Sequence, residues 1–168
     1  LDAPWPRYVT SFDLALNPLQ QAAASLRTLV ASRRGNEAPA LLLAKALEGQ
    51  ALVARARGEL AQAEAALREG QDVLSATIGD DPQDADAAQH LLSTATLLAD
   101  VLARSRRPLE GIALLRSMIG RAARRIDRAD ASVASRRTLR NAHYWLAFIE
   151  EQAGQTETAV LTLQRAID

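Results

Sequence analysis

Hydrophobic positions along the chain recur at the spacing of α-helices. The apolar residues of the first such stripe lie one, three or four positions apart: Leu19, Ala22, Ala23, Leu26, Leu29 and Val30. This spacing places them on one face of a helix. Similar stripes continue along the chain, interrupted by short stretches rich in Gly, Pro, Asn and Asp. The pattern predicts seven helices and no strand, at about 18–34, 38–57, 60–78, 84–105, 109–129, 133–153 and 157–168.

The residues before the first stripe are predicted to form an extended lead-in, 1–17. Pro4 and Pro6 flank Trp5, and proline disfavours helix at its own position and at the preceding one. Asn17 followed by Pro18 then resembles an N-cap with proline in the first helical turn. An alternative begins the helix near Ser11 and kinks it at Pro18. On the first interpretation the helical domain covers 18–168.

Three breaks between helices share one pattern at a fixed interval. Their first residues, Gly58, Arg106 and Gly154, are separated by 48 positions in both intervals. Each break is followed five residues later by a small residue and four further on by a leucine: Ala63 and Leu67, Gly111 and Leu115, Ala159 and Leu163. The repetition predicts three units of helix, tight turn and helix, at about 40–79, 84–129 and 133–168.

This pattern resembles the tetratricopeptide repeat, and in particular its long-helix form in kinesin light chains and related bacterial proteins. In that family the small residue lets the second helix of a unit pack closely on the first. The segment Ile78-Gly79-Asp80-Asp81-Pro82 is similar to the Gly-x-x-His-Pro junction of that group but lacks the histidine. The period is longer than the usual repeat of about 34 residues. The resemblance implies an all-α fold, in which antiparallel helical hairpins stack into a right-handed solenoid.

The resemblance also implies a binding groove, because in that family the first helices of successive units line a concave surface. Aligning the three turn residues selects four positions on each first helix: Lys45, Glu48, Leu52, Arg55, Ser93, Thr96, Asp100, Arg104, Asn141, Tyr144, Phe148 and Glu151. Most carry a polar or charged group, and Tyr144 and Phe148 are of the type that anchors partners. The alternative is that these residues are only the solvated face of amphipathic helices.

Composition argues against several classes of function. The 20 basic and 20 acidic residues give a formal charge of +0, which argues against a general nucleic-acid binder. The absence of cysteine excludes disulfides, thiolate zinc sites and thiol catalysis. His90 and His143 supply too few ligands for a metal site, and no phosphate loop or nucleophile motif is present. We therefore expect a protein that is not an enzyme, with no cofactor, no metal and no small-molecule substrate.

Arginine is concentrated in one part of the chain. Between Arg104 and Arg140 there are eleven Arg against three acidic residues. Five of them are predicted to form a basic patch on two neighbouring helices: Arg121, Arg125, Arg128, Arg136 and Arg140. Such a patch would suit a phosphate, an acidic segment or an anionic lipid surface. The alternative is that the acidic stretch 80–100 balances it.

Three hypotheses for function follow. The first is a scaffold or sensor module that binds a protein or peptide in the groove; the resemblance implies a larger bacterial signalling protein, such as a receptor-type Ser/Thr kinase. The second is self-association into a homo-oligomer through an apolar end repeat, with Leu161 and Ile167 at the interface. The third is anion or nucleic-acid binding by the basic patch. Because the chain begins with Leu1, we expect it to be a segment of a longer protein. We expect a cytoplasmic or periplasmic domain, which can belong to a membrane-anchored protein.

Overall fold

The computed structural model describes residues 5–32, 37–78, 85–126 and 132–167, without the side chains of 5–13, 78, 85–87, 125 and 167. Every regular element in these ranges is an α-helix, which confirms the predicted all-α class. The seven helices are α1 (Trp5–Ser32), α2 (Glu37–Ala56), α3 (Leu60–Ile78), α4 (Ala85–Arg104), α5 (Pro108–Ile126), α6 (Val133–Gln152) and α7 (Thr156–Ile167).

The predicted lead-in over 1–17 is wrong for most of its length, because α1 begins at Trp5 and passes through Pro18. Pro6 lies in the first turn of α1, where a helix needs no backbone N–H donor, so it does not oppose the helix. Pro18 does remove one hydrogen bond inside the helix. The residues around it, including Leu14, Ala15 and Leu16, are good helix formers and continue the helix on both sides.

Successive helices pack against each other, so α2–α3, α4–α5 and α6–α7 form three hairpins. The first helices of the hairpins also contact each other, α2 with α4 and α4 with α6. The second helices α3, α5 and α7 make no such contacts among themselves within the described ranges. The structure therefore has two layers. One is a continuous row of α2, α4 and α6, and the other holds α3, α5 and α7 further apart.

The three turn positions found in the sequence end α2, α4 and α6 in the same geometry. Gly58, Arg106 and Gly154 have φ angles of 78°, 62° and 76°. The next residue donates its N–H to a carbonyl five positions earlier, at 2.9 Å in each case: Glu59 to Ala54, Arg107 to Leu102 and Gln155 to Glu150. This is the Schellman motif, which closes a helix with a left-handed residue. The shared geometry explains why the turns recur with the same length.

The small residue of each unit lies where two helix backbones approach closely. Gly111 on α5 faces α4, and a Cβ atom at this position would lie 2.8 Å from the Ala99 carbonyl oxygen. Ala63 and Ala159, at the matching positions, are buried. A larger side chain here would separate the helices of a hairpin, so the small residues set the distance between the two layers.

The hydrophobic core repeats with the same interval as the turns. Four sets of positions, each 48 residues apart, are buried in all three hairpins: Leu43, Leu91 and Leu139; Ala46, Thr94 and Ala142; Ala51, Ala99 and Ala147; Val53, Val101 and Ile149. The predicted leucines follow the repeat only in part. Leu67 and Leu115 are buried, because each packs against its own hairpin and the first helix of the next one. Leu163 is 39% exposed, since no described helix follows α7 on that side.

A charged cluster joins the first hairpin to the second. Glu64 on α3 accepts hydrogen bonds from Arg68 on the same helix and from Arg107 in the turn before α5. Burial raises the pKa of Glu64, but the bonds from the two arginines outweigh that effect and hold the pKa below its ordinary value.

Two further features stand apart from this packing. The predicted junction at 78–82 lies almost wholly outside the described residues, and no described helix is long and apolar enough to span a membrane.

Arg106 is the one non-glycine residue among the three left-handed turn positions, which gives a testable prediction. Arg106→Gly should raise the free energy of unfolding by about 0.5–1 kcal/mol, because glycine adopts this φ without the strain that a Cβ causes. Thermal and urea unfolding would measure the change. Gly58→Ala is the matched control and should lower stability by about 1 kcal/mol. A loss of stability in Arg106→Gly would contradict the assigned role of this turn.

Candidate functional site

The twelve predicted groove residues lie on α2, α4 and α6, the helices that form the continuous layer. Most of them are partly or largely exposed, as expected for a surface stripe. Three large hydrophobic side chains are exposed within this stripe: Leu52, Tyr144 and Phe148. The structure therefore brings the predicted set onto one layer. Its members have different environments, however, and only some are available to a partner.

Asp100 departs from the predicted exposed stripe, because its side chain is buried at 3% exposure. Arg55 on α2 donates to its Oδ2 atom at 2.5 Å, and Arg104, one turn along α4, donates to Oδ1 at 3.0 Å. A buried carboxylate needs such partners to offset its lost hydration. The three charges therefore satisfy one another, and their main effect is to join α2 to α4.

Glu48 also serves the contact between α2 and α4. It is half-buried and accepts a hydrogen bond from the Thr94 hydroxyl, while Lys45 lies exposed one turn away. Burial raises the pKa of Glu48 above its ordinary value, although the Thr94 hydrogen bond and the charge of Lys45 oppose the shift. Its carboxylate is therefore less available to a partner than the sequence implies.

An aromatic cluster on α6 is exposed on this layer. Tyr144 and Phe148 are 43% and 48% exposed. Trp145, which the sequence analysis left out of the groove, meets Phe148 edge to face with ring centroids 5.7 Å apart. The three rings line a shallow depression of about 240 Å³. Trp145 adjoins Tyr144 in the sequence, so its position next to a predicted groove residue could have identified it as a member of this cluster.

The predicted basic patch is described only in part. Arg136 and Arg140 are exposed on α6, and Arg121 is partly buried on α5. Arg128 and the side chain of Arg125 lie outside the described residues. The patch therefore remains a prediction.

An ion pair with a buried carboxylate, which the sequence analysis missed, lies between α5 and α6. Glu150 is 0% exposed, and Arg116 donates to its Oε1 atom through Nε at 3.1 Å and Nη2 at 2.8 Å. The Oε2 atom is also buried and has no hydrogen-bond partner among the described residues. The repeat could have signalled this site, because Glu150 occupies the register of Ala54 and Leu102, both buried in the other hairpins.

The described part of the chain was also compared with the requirements of a metal site. No group of three or more His, Cys, Asp or Glu residues there could hold a metal ion. Compared with known proteins, the chain matches no family model, and no curated protein matches it either. The geometry of its surfaces is therefore the basis for any functional proposal.

The raised pKa of Glu48 predicts a pH-dependent gain in stability from Glu48→Gln. A raised pKa means that ionisation disfavours the folded state above the ordinary value of 4.5. The amide keeps an acceptor for Thr94 but carries no charge, so the variant should melt at a higher temperature near pH 7. The gain should disappear as pH falls below 4.5. A gain of equal size at pH 3.5 and pH 7 in thermal unfolding would refute this explanation.

The buried pair of Arg116 and Glu150 predicts a non-additive double-mutant cycle. Arg116→Ala should lower the free energy of unfolding by about 2–3 kcal/mol, because it leaves a buried carboxylate without its cation. Adding Glu150→Leu restores the residue type found at Leu102 and should return stability to the wild-type value or above. Urea unfolding of the four proteins measures the coupling. If Arg116→Ala were as stable as wild type, Glu150 would not depend on that guanidinium.

Proposed function

We propose that this domain is a non-catalytic module that binds a protein or peptide on the layer formed by α2, α4 and α6. The observation that carries the proposal is the aromatic depression on α6, where Tyr144 and Phe148 leave nearly half of their surfaces in solvent. Exposed aromatic side chains beside polar groups are typical of interaction sites. The same layer contributes Leu52 from α2, so an extended partner would meet apolar positions on more than one helix.

The architecture that we propose for this module is a tetratricopeptide-like, right-handed stack of hairpins. Three observations support it: the recurring Schellman turns, the small residues between paired helices, and the contacts among α2, α4 and α6. Because these three helices touch while α3, α5 and α7 do not, their layer would lie on the inside of any curvature. Such stacks present an extended surface and supply no chemistry of their own. A place in a larger bacterial signalling protein rests on the sequence resemblance alone.

The partner that this surface favours would insert apolar side chains rather than rely on charge. Asp100 is neutralised by Arg55 and Arg104, so these charges already have partners within the layer. The rings on α6 would then supply the buried centre of the interface, and the exposed Asn141 and Glu151 would lie at its rim.

Self-association is a second candidate, favoured by the outer surface of α7. Leu161 is 59% exposed. Leu163 on the same helix is 39% exposed, whereas Leu67 and Leu115, which occupy its position in the other hairpins, are buried. The side chain of Ile167, the other residue predicted for this interface, lies outside the described residues. A second copy of the chain would be the partner in this case.

A comparison of two double variants tests the binding proposal. Tyr144→Ala with Phe148→Ala should reduce capture of a partner from lysate at least tenfold, because it removes both anchors. Helicity by circular dichroism should be unchanged. The free energy of unfolding should fall by no more than about 2–3 kcal/mol, because both rings are already partly exposed. Leu161→Ala with Leu163→Ala is the matched control and should retain the partner.

Two outcomes would contradict the binding proposal. If the Tyr144/Phe148 variant retained the partner, the aromatic depression would not be the binding site. If wild type captured only itself, and the Leu161/Leu163 variant became monomeric in sedimentation equilibrium, self-association would replace partner binding as the function.

A further inference from the structure

We propose that the cleft between α5, α6 and α7 is a second binding site, which takes a small carboxylate with an apolar body. The cleft has a volume of about 540 Å³, within the range of small-molecule sites. The cleft and the aromatic depression on α6 have no lining residue in common. The proposal is therefore independent of the partner-binding function.

Two arginines give the cleft its preference for an anion. Arg116 lines it, and the buried Glu150 holds this guanidinium through Nε and Nη2. Arg165 on α7 lines the same cleft and forms no ion pair with any described residue. Glu150 neutralises one of the two positive charges, so the second remains for a ligand. The Arg116 guanidinium is already held in place by Glu150, so it would lose less side-chain entropy than a free arginine when it binds a carboxylate.

Two threonines supply unused hydroxyl groups at the same place. Several threonines elsewhere in the helices donate their hydroxyls to the carbonyl four residues earlier: Thr28, Thr77, Thr96 and Thr138. Thr158 and Thr162, one turn apart on α7, line the cleft and make no such bond. Thr162 is only 5% exposed, and its hydroxyl has no hydrogen-bond partner among the described residues. The Thr162 hydroxyl oxygen is not among the enclosed side-chain atoms that lack a partner, so it stays accessible from the cleft and can donate to a ligand there.

The remaining walls of the cleft decide what kind of anion fits. Besides Gly120 and His143, these walls are Ile119, Leu146 and Leu161, whose apolar surface a bare inorganic ion would leave uncovered. A carboxylate can accept from both a guanidinium and a hydroxyl, while an attached alkyl chain would cover the leucines. The site would bind and release this ligand unchanged.

Titration calorimetry with octanoate, together with amide chemical shifts, tests the proposal on the whole chain. Wild type should bind one octanoate with saturation, and octanamide, which lacks the charge, should bind at least tenfold more weakly. Acetate, which lacks the body, should also bind at least tenfold more weakly. The shifts that saturate should come from α5, α6 and α7. The Tyr144/Phe148 double variant should bind octanoate as wild type does, which separates this site from the proposed function.

Substitutions at the cleft complete the test. Arg165→Gln should weaken binding about tenfold, and the near-isosteric Thr162→Val about three- to tenfold. Arg116→Ala with Glu150→Leu removes the held guanidinium without changing net charge and should also weaken binding. Arg136→Gln, an exposed arginine of α6 outside the cleft, is the matched control and should have no effect. The proposal fails if wild type shows no saturable binding, if octanamide binds equally well, or if the control loses as much affinity as Arg165→Gln.

Discussion

The left-handed turn that ends each first helix is the constraint on which the rest of the structure depends. In each hairpin the Schellman hydrogen bond at 2.9 Å fixes the direction in which the second helix leaves. The small residue five positions after the turn then lies against the partner helix, most closely at Gly111. Without this fixed exit, the core positions 48 residues apart would not meet in the same register. Local backbone geometry thus determines how the helices stack.

Polar groups inside this stack join neighbouring hairpins, and Asp100 also pairs with two other charged residues of the groove, Arg55 and Arg104. Asp100 and Glu150 occupy interior positions, and each depends on a guanidinium from the preceding hairpin. Pairs of this kind contribute little net stability compared with apolar residues, but removing one partner is costly. They therefore fix register more than they add strength. What remains at the surface for recognition is mainly the aromatic group on α6.

Much of the fold could be read from the sequence, because it depends on patterns that short stretches carry. Apolar spacing located the helices, and Gly58, Arg106 and Gly154 located the repeat, even though Arg106 is not the residue type expected at a positive φ. The start of α1 was misplaced because Pro6 and Pro18 look like helix breakers unless their position within a helix is known. At α6 the start is marked by Ser132, a residue type that favours N-caps, which accepts from the Ser135 N–H at 3.0 Å.

The candidate site was less predictable, because burial depends on which hairpin lies next to which. Asp100 and Phe148 occupy the same place in the repeat stripe, yet one is enclosed by two arginines and the other is 48% exposed. The pairing of Arg116 with Glu150 crosses 34 positions, and helical spacing within a single helix cannot reveal it. Counting from the turn residues does place Glu150 at a core position. The choice of its partner requires the packing of α5 on α6.

The ion pair between Arg55 and Asp100 also makes the order of the hairpins specific, although their backbones are nearly interchangeable. The position that matches Arg55 in the third hairpin is Glu151, and in the second it is Ala103. A chain in which the second hairpin followed the third would place Glu151 beside the buried Asp100 and oppose two like charges. Copies of a duplicated unit that acquire such complementary residues can no longer be exchanged or shuffled freely. A repeat of this kind keeps a common shape, while each of its units has a fixed place.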